Sequence, residues 1–337
     1  MKATSTFRLV GIEPDNLLGF LALLGALRSL EASNVAWRAR VYWDVANPPV
    51  HPVFSVSMPV TQDELLDAIV GGCDTLAMDH DFEGHRSLSW ESSYARKLLR
   101  DSVKPDTAAR GRADVLAALI SDAAVWKERV NATPLCMQFG QGHQHFLERF
   151  AVVPRLRAAP QREKSSDGVA PDARKAAELA LFQPWQRVDM TPAFRWDPAE
   201  DRRYALRFRN PSVGGVPTVH GANRLAAVGL PVFTVVPRAA GRFVRLAMVG
   251  SRVNSRREVE ISWPIWTRPA SLRAVRALLN SPLFLEPKLD GARLAAMSIR
   301  EVRRAVRIKV GEFFNVTRAE VVPIKPSEPA RGVTFVA

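Results

Sequence analysis

Residues Leu17 to Leu27 form an unbroken apolar run. Ahead of it, Phe7–Gly11 reads as a short strand and Pro14-Asp15-Asn16 as a turn ending in a helix cap. Leu17–Ala32 then reads as a helix. A helix that is apolar on almost every side belongs in the interior. Gly19, Ala22 and Ala26 recur at spacings of three and four, a small-residue stripe that lets another backbone come close. Trp37 to Trp43 alternates in period two and predicts a strand, with Trp37, Ala39, Val41 and Trp43 on one face. Arg38, Arg40 and Tyr42 share the other. Pro48, Pro49 and Pro52 make a turn into a second strand, Val53–Met58. Thr61 and Glu64 frame a capping box that opens a helix through Val70. Further helices are predicted at Ser92–Ser102 and Arg112–Val130.

Residues 158–172, with Pro160, Ser165, Ser166, Gly168 and Pro171, read as a linker or mobile loop. After them a helix is predicted at Ala173–Leu181, with strands at Tyr204–Arg209, Val232–Pro237, Phe243–Val249 and Val259–Ile265. Ser271–Leu279 predicts an amphipathic helix, with Leu272, Val275, Leu278 and Leu279 opposite Arg273 and Arg276. This interleaving predicts an α+β fold of mixed helices and short strands in two lobes. The N-terminal α/β lobe spans 1–157 and holds the buried first helix. The linker spans 158–172, and the basic C-terminal α+β lobe spans 173–337.

At 337 residues, with 47% hydrophobic and 24% charged, the composition is that of a globular chain and not of a disordered one. Cys73 and Cys136 are too few for a disulfide framework or a closed zinc site, and read as buried thiols in a reducing cytoplasm. The apolar run falls short of the about 20 residues a bilayer span needs. Glu13 and Asp15 directly before it argue against a secretory signal. The expectation is a cytoplasmic protein without a membrane partner.

Charge changes the picture more. The chain carries a net +13, yet residues 201–309 alone hold 21 basic residues against six acidic ones. Nearly all of these bases are arginine, whose planar donor fork matches pairs of phosphate oxygens. The first reading is a surface for an extended polyanion, against a solvated basic face as the plainer one. Along 201–210, Arg203, Arg207 and Arg209 share one strand face, backed by Tyr204, Leu206 and Phe208, with Arg202 beside them. Such an arginine ridge suits a phosphate-tracking strand. Thr218 to Arg224 follows as a loop entering a helix, where His220, Asn223 and Arg224 add donors and the helix dipole favours an anion. Gln141, His143 and Gln144 sit in a glycine-flanked loop suited to a sugar–phosphate backbone. His143 and His145 can alternatively chelate a metal from one strand face.

Asp79-His80-Asp81, with His85, is the densest set of potential metal ligands and gives a second reading, a metal-dependent nuclease. A polar surface loop is the plainer account of the same residues. No phosphate loop, dinucleotide fingerprint, nucleophile elbow or deaminase zinc motif is present. The chain is therefore expected to be non-enzymatic, with no cofactor and no metal.

Leu9-Val10-Gly11-Ile12-Glu13-Pro14-Asp15-Asn16-Leu17-Leu18-Gly19-Phe20-Leu21-Ala22-Leu23-Leu24-Gly25-Ala26-Leu27-Arg28 resembles the opening of CRISPR-associated proteins of type I-G (formerly I-U) systems. Phe139 to Leu147 is similar to a Gly-Gln-rich segment of large-subunit-like members. His220 to Ala226 and Ser262-Trp263-Pro264-Ile265-Trp266 extend the likeness into the second half. The resemblance implies a large-subunit-like protein, or an accessory that works beside the helicase–nuclease. The leading reading is a nucleic-acid-binding subunit of an antiviral effector complex without its own active site. Its partners would be guide RNA, target DNA and other CRISPR-associated subunits. A protein-interaction module docking on that helicase–nuclease is a further alternative.

Overall fold

The computed structural model describes residues 4–82, 84–104, 107–138, 145–160, 172–200, 217–310 and 313–325. Among them the first half forms β1 (Ser5–Arg8), α1 (Leu17–Ser33), β2 (Arg40–Asp44), β3 (His51–Val56), α2 (Gln62–Ala77), α3 (Ser92–Ser102) and α4 (Thr107–Leu119). A short hairpin of β4 (Val125–Trp126) and β5 (Arg129–Val130) follows, then α5 (Phe146–Val152) and α6 (Ala173–Phe182). The second half forms α7 (His220–Gly229), β6 (Val235–Ala240), β7 (Phe243–Met248), β8 (Ser251–Val253), β9 (Val259–Trp266) and α8 (Leu272–Leu279). It ends with α9 (Gly291–Ala296), β10 (Ile299–Val310), β11 (Phe313–Val316) and β12 (Glu320–Val321). The fold is mixed α+β. Its sheets are small and antiparallel: β1-β3-β2, β11-β10-β9-β8 with β12 also on β10, and the hairpins β4-β5 and β6-β7.

α1 is the centre of the molecule. Asn16 caps it by accepting from the Gly19 N–H, and every residue from Leu17 to Leu30 is buried. On one side Phe20 stacks on Trp263 of β9 at 5.4 Å and meets Trp266 and Phe233 edge-on. On another side α1 lies against α7. A Cβ on Gly25 would fall 1.8 Å from the Leu225 carbonyl oxygen, and one on Gly229 would fall 2.1 Å from that of Leu21. α2 approaches a third side, where Gly72 meets Ser29. The small-residue stripe is thus real but shifted: the close approach is at Gly25, whereas Gly19 has nothing nearer than 3.6 Å. Sequence spacing shows that a seam exists, and only the partner helix decides its register.

The predicted lobes share one hydrophobic core. It runs from Leu9 to Val322 and takes in residues on both sides of 158–172. An all-round apolar helix needs cover from every direction, and here both halves of the chain supply it.

Other expectations shift locally. Trp37 lies in a 3₁₀ turn that ends at Arg38 with φ 49°, so the strand begins only at Arg40, with Val41 and Trp43 turned inward. Helix α4 stops at Leu119, well short of Val130. Beyond it Val125 pairs with Val130 across a two-residue turn in which Lys127 and Glu128 have φ of 46° and 63°. Both central residues left-handed is the turn geometry that matches strand twist. The capping box of Thr61 and Glu64 forms, but α2 continues to Ala77. α3 and α8 have the predicted bounds, with Ser271 capping α8.

The seam makes a direct prediction. Gly25→Ala places a methyl inside the van der Waals radius of a backbone oxygen and should cost about 3 kcal/mol or more. Gly19→Ala, in open contact, should stay within about 1 kcal/mol of the parent. Thermal or urea unfolding of both variants measures the difference, and equal stabilities would remove the α1–α7 contact from the core.

Candidate nucleic-acid interface

Ten residues were expected to bind nucleic acid. Arg202, Arg203, Arg207, Arg209, Gln141, His143 and Gln144 lie outside the described residues. His220, Asn223 and Arg224 open α7, and all three are buried. The His220 Nε2–H donates to the Leu156 carbonyl at 2.9 Å while Nδ1 accepts from the Thr191 hydroxyl at 2.7 Å, which fixes a neutral imidazole. Burial, then the neighbouring Arg224, pushes its pKa down to about 4. Asn223 donates to Thr218 and Val219. Arg224 donates to the Pro154 carbonyl and pairs with Asp74 at 2.6 Å. The expected anion position at the α7 N-terminus is filled from within, because the Asp189 carboxylate accepts from the His220 backbone N–H at 2.7 Å. In this structure these three side chains hold the helix in place. A polar-looking loop entering a helix gave no sign that the helix runs through the core.

The aspartate–histidine cluster does not converge either. His80 is fully buried, stacks on Phe150 at 4.1 Å and has its Nδ1 3.2 Å from the Phe150 carbonyl oxygen. Asp81 pairs with Arg155 at 3.2 Å. Asp79 lies beside Arg28 and Arg112, with its acid form favoured by burial. His85 faces Trp90 and Tyr94. His145 instead pairs with the Ser87 hydroxyl at 3.0 Å. Among the described residues no group of three His, Cys, Asp or Glu side chains is placed to hold a metal ion. Nor is any described helix long and apolar enough to cross a membrane.

Among the described residues, several arginines gather in each of two clefts. One, of about 590 Å³, surrounds the β1–α1 turn, and its arginines are already matched. Arg187 meets Asp197 at 2.6 Å, Arg303 meets Glu301 at 2.5 Å, and Arg318 meets Asp15 and Glu13 at 2.9 and 3.2 Å. The other, of about 500 Å³, lies where β6–β7, the β8–β9 turn and β10 come together. Arg238, Arg245, Arg252, Arg257 and Arg307 line it, and no acidic residue does.

Its geometry follows from strand register. Arg238 of β6 stands directly opposite Arg245 of β7, so both side chains leave the same face of the hairpin. Both are exposed, and neither has an ion-pair partner among the described residues. Like charges directly opposite destabilise a strand pair. Arg257 is exposed in the tight turn organised by Asn254, with φ 63°. Deeper in, Arg252 is held by Glu260. Arg307 stacks on Phe314 at 4.3 Å and donates to the Pro134 carbonyl, while burial draws its pKa below the usual guanidinium range. The cleft thus has a fixed floor and three unmatched charges at its rim. The arginine excess of residues 201–309 was the signal for it. Which arginines face one another depended on a hairpin register that composition does not show.

The buried histidine carries a pH prediction. Burial pushes the His80 pKa from 6.5 down to about 3, so the unfolded chain takes up the proton first as pH falls. Its contribution is complete above about pH 7 and is lost on acidification, by about 2 kcal/mol at pH 5. His80→Asn, whose amide can still donate to Phe150, should flatten that loss. Urea unfolding of parent and variant at pH 7 and pH 5 measures it, and equal losses would place the titration elsewhere.

No protein-family model matches the chain, and no curated protein matches it.

Proposed function

We propose that the chain is a nucleic-acid-binding subunit of a type I CRISPR effector complex, without an active site of its own. The arginine cleft is where it meets the sugar–phosphate backbone of guide RNA or target DNA. One observation carries the electrostatic part of this reading: Arg238 and Arg245 are held face to face with no carboxylate between them. That arrangement costs free energy in the isolated chain, and a phosphate bridging two guanidinium forks reverses the sign. Arg257 extends the positive rim, and the overall excess of +13 favours encounter with a polyanion. The placement within a CRISPR complex rests on the sequence resemblance of Leu9 to Arg28 and the later blocks. Localisation in the cytoplasm belongs to the same proposal.

The test separates charge from fold. Arg238→Gln, Arg245→Gln and Arg257→Gln together should leave the melting temperature unchanged or slightly raised, because all three are exposed, have no ion-pair partner among the described residues, and the first two repel each other. Affinity for labelled RNA or DNA should fall about equally for all sequences. The slope of log K against log salt should shrink by about two units, since each lost single-strand phosphate contact contributes roughly 0.7. An unchanged slope would remove the cleft from the interface. Asp79→Asn with Asp81→Asn should leave binding intact. Manganese-dependent cleavage abolished by that pair would replace a binding subunit with a nuclease.

A further inference from the structure

Twelve large hydrophobic side chains are exposed among the described residues, and ten of them are aliphatic. The remaining two, Trp126 and Phe243, are 54% and 46% exposed and touch each other. Their rings meet edge-on, with centroids 5.2 Å apart and planes at 71°. They come from different hairpins: Trp126 ends β4, and Phe243 begins β7. The Trp37 and Trp185 rings are at least half covered, so among the described residues these two are the large aromatic side chains left exposed.

Its surroundings are cationic. Phe243 lies two residues before Arg245, so strand alternation sets it on the hairpin face that carries Arg245 and Arg238. The Arg242 guanidinium lies 5.6 Å from the Phe243 ring centre. Lys127 and Arg129 flank Trp126 on its own hairpin, with Glu128 as the single acid there. The rings therefore continue the arginine cleft at one end and form a step beside it.

We infer that this site takes single-stranded nucleic acid, RNA or DNA, with unpaired bases stacking on Trp126 and Phe243 while the cleft arginines follow the backbone. The inference rests on the reading of the cleft as a phosphate-binding surface and specifies its substrate class. A duplex buries its base faces in its own stack and offers an aromatic ring nothing but phosphate and groove edges. A single strand offers both a polyanionic backbone and free base faces. Stacking on side chains is sequence-tolerant because every base has such a face. Exposed rings next to unpaired arginines match that ligand on both counts, whereas an apolar protein patch would leave three guanidinium groups unmatched.

The experiment compares three probes of equal length: a labelled oligothymidylate or oligouridylate, an abasic strand of the same charge, and a duplex. The base-bearing strand should bind about tenfold more tightly than the abasic one. Trp126→Ala with Phe243→Ala should erase that preference while leaving abasic binding unchanged. Trp126→Phe with Phe243→Tyr, which keeps two rings, should restore it and controls for misfolding. Equal binding of abasic and base-bearing strands, still lost in the arginine variant, overturns the inference and leaves the phosphate reading standing. Failure to bind any of the probes overturns the cleft reading together with the inference. A preference for duplex over single strand also overturns the inference, and leaves the phosphate reading standing.

Discussion

The contact between α1 and α7 is the constraint on which the rest of the structure depends. Two backbones meet there with no side chain between them, at Gly25 and Gly229. Such proximity lets the remaining faces of α1 reach β9 and α2 at the same time, so a single helix contributes to three interfaces. The aromatic stack of Phe20, Trp263 and Trp266 then fixes β9, and β9 fixes β8 and β10 by ladder hydrogen bonds. The floor of the arginine cleft stands on that sheet.

Two groups among the described arginines differ in their physics. Arg28, Arg224, Arg304 and Arg307 are buried or half-buried and donate to main-chain carbonyls: those of Val228, Pro154, Phe284 with Glu286, and Pro134. Each satisfies acceptors that the fold would otherwise leave orphaned, which is worth more than a surface ion pair. Burial lowers the pKa of Arg28 and Arg304 to about 10, so both remain charged at neutral pH. Arg238, Arg245 and Arg257 do none of this. Their guanidinium groups are exposed, and they hold their charge toward solvent.

Much of the fold was legible in the sequence because it is encoded locally. The Asn16 cap, the Thr61–Glu64 box and the bounds of α3 and α8 all depend on a few adjacent residues. The long strand β10 was missed: its Ile-Arg-Glu-Val-Arg-Arg pattern alternates poorly, and a register shift between Ile299 and Glu301 breaks the period. The hairpin at Val125–Val130 was hidden inside a helical reading because its turn uses Lys127 and Glu128 and no glycine. For the arginine cleft, the sign and residue type of the charge were visible. His220, Asn223 and Arg224 were misplaced for one reason. Exposure of a polar residue depends on which helix is central, and α7 owes its burial to a glycine seam with a segment some 200 residues away.

The location of the unmatched arginines follows from the same logic. A two-stranded hairpin is marginal on its own, and β6–β7 pairs with no third strand among the described residues. Repulsion between Arg238 and Arg245 placed there weakens a peripheral element and leaves α1 and its partners untouched. The edge-on contact of Trp126 with Phe243 ties the β7 end of that hairpin back to β4–β5. An anion seated between the two arginines would replace repulsion with two charge-assisted hydrogen bonds and stiffen both hairpins together. Electrostatic cost and aromatic exposure thus fall on peripheral hairpins that can carry them without endangering the core, and the proposed single strand would relieve both.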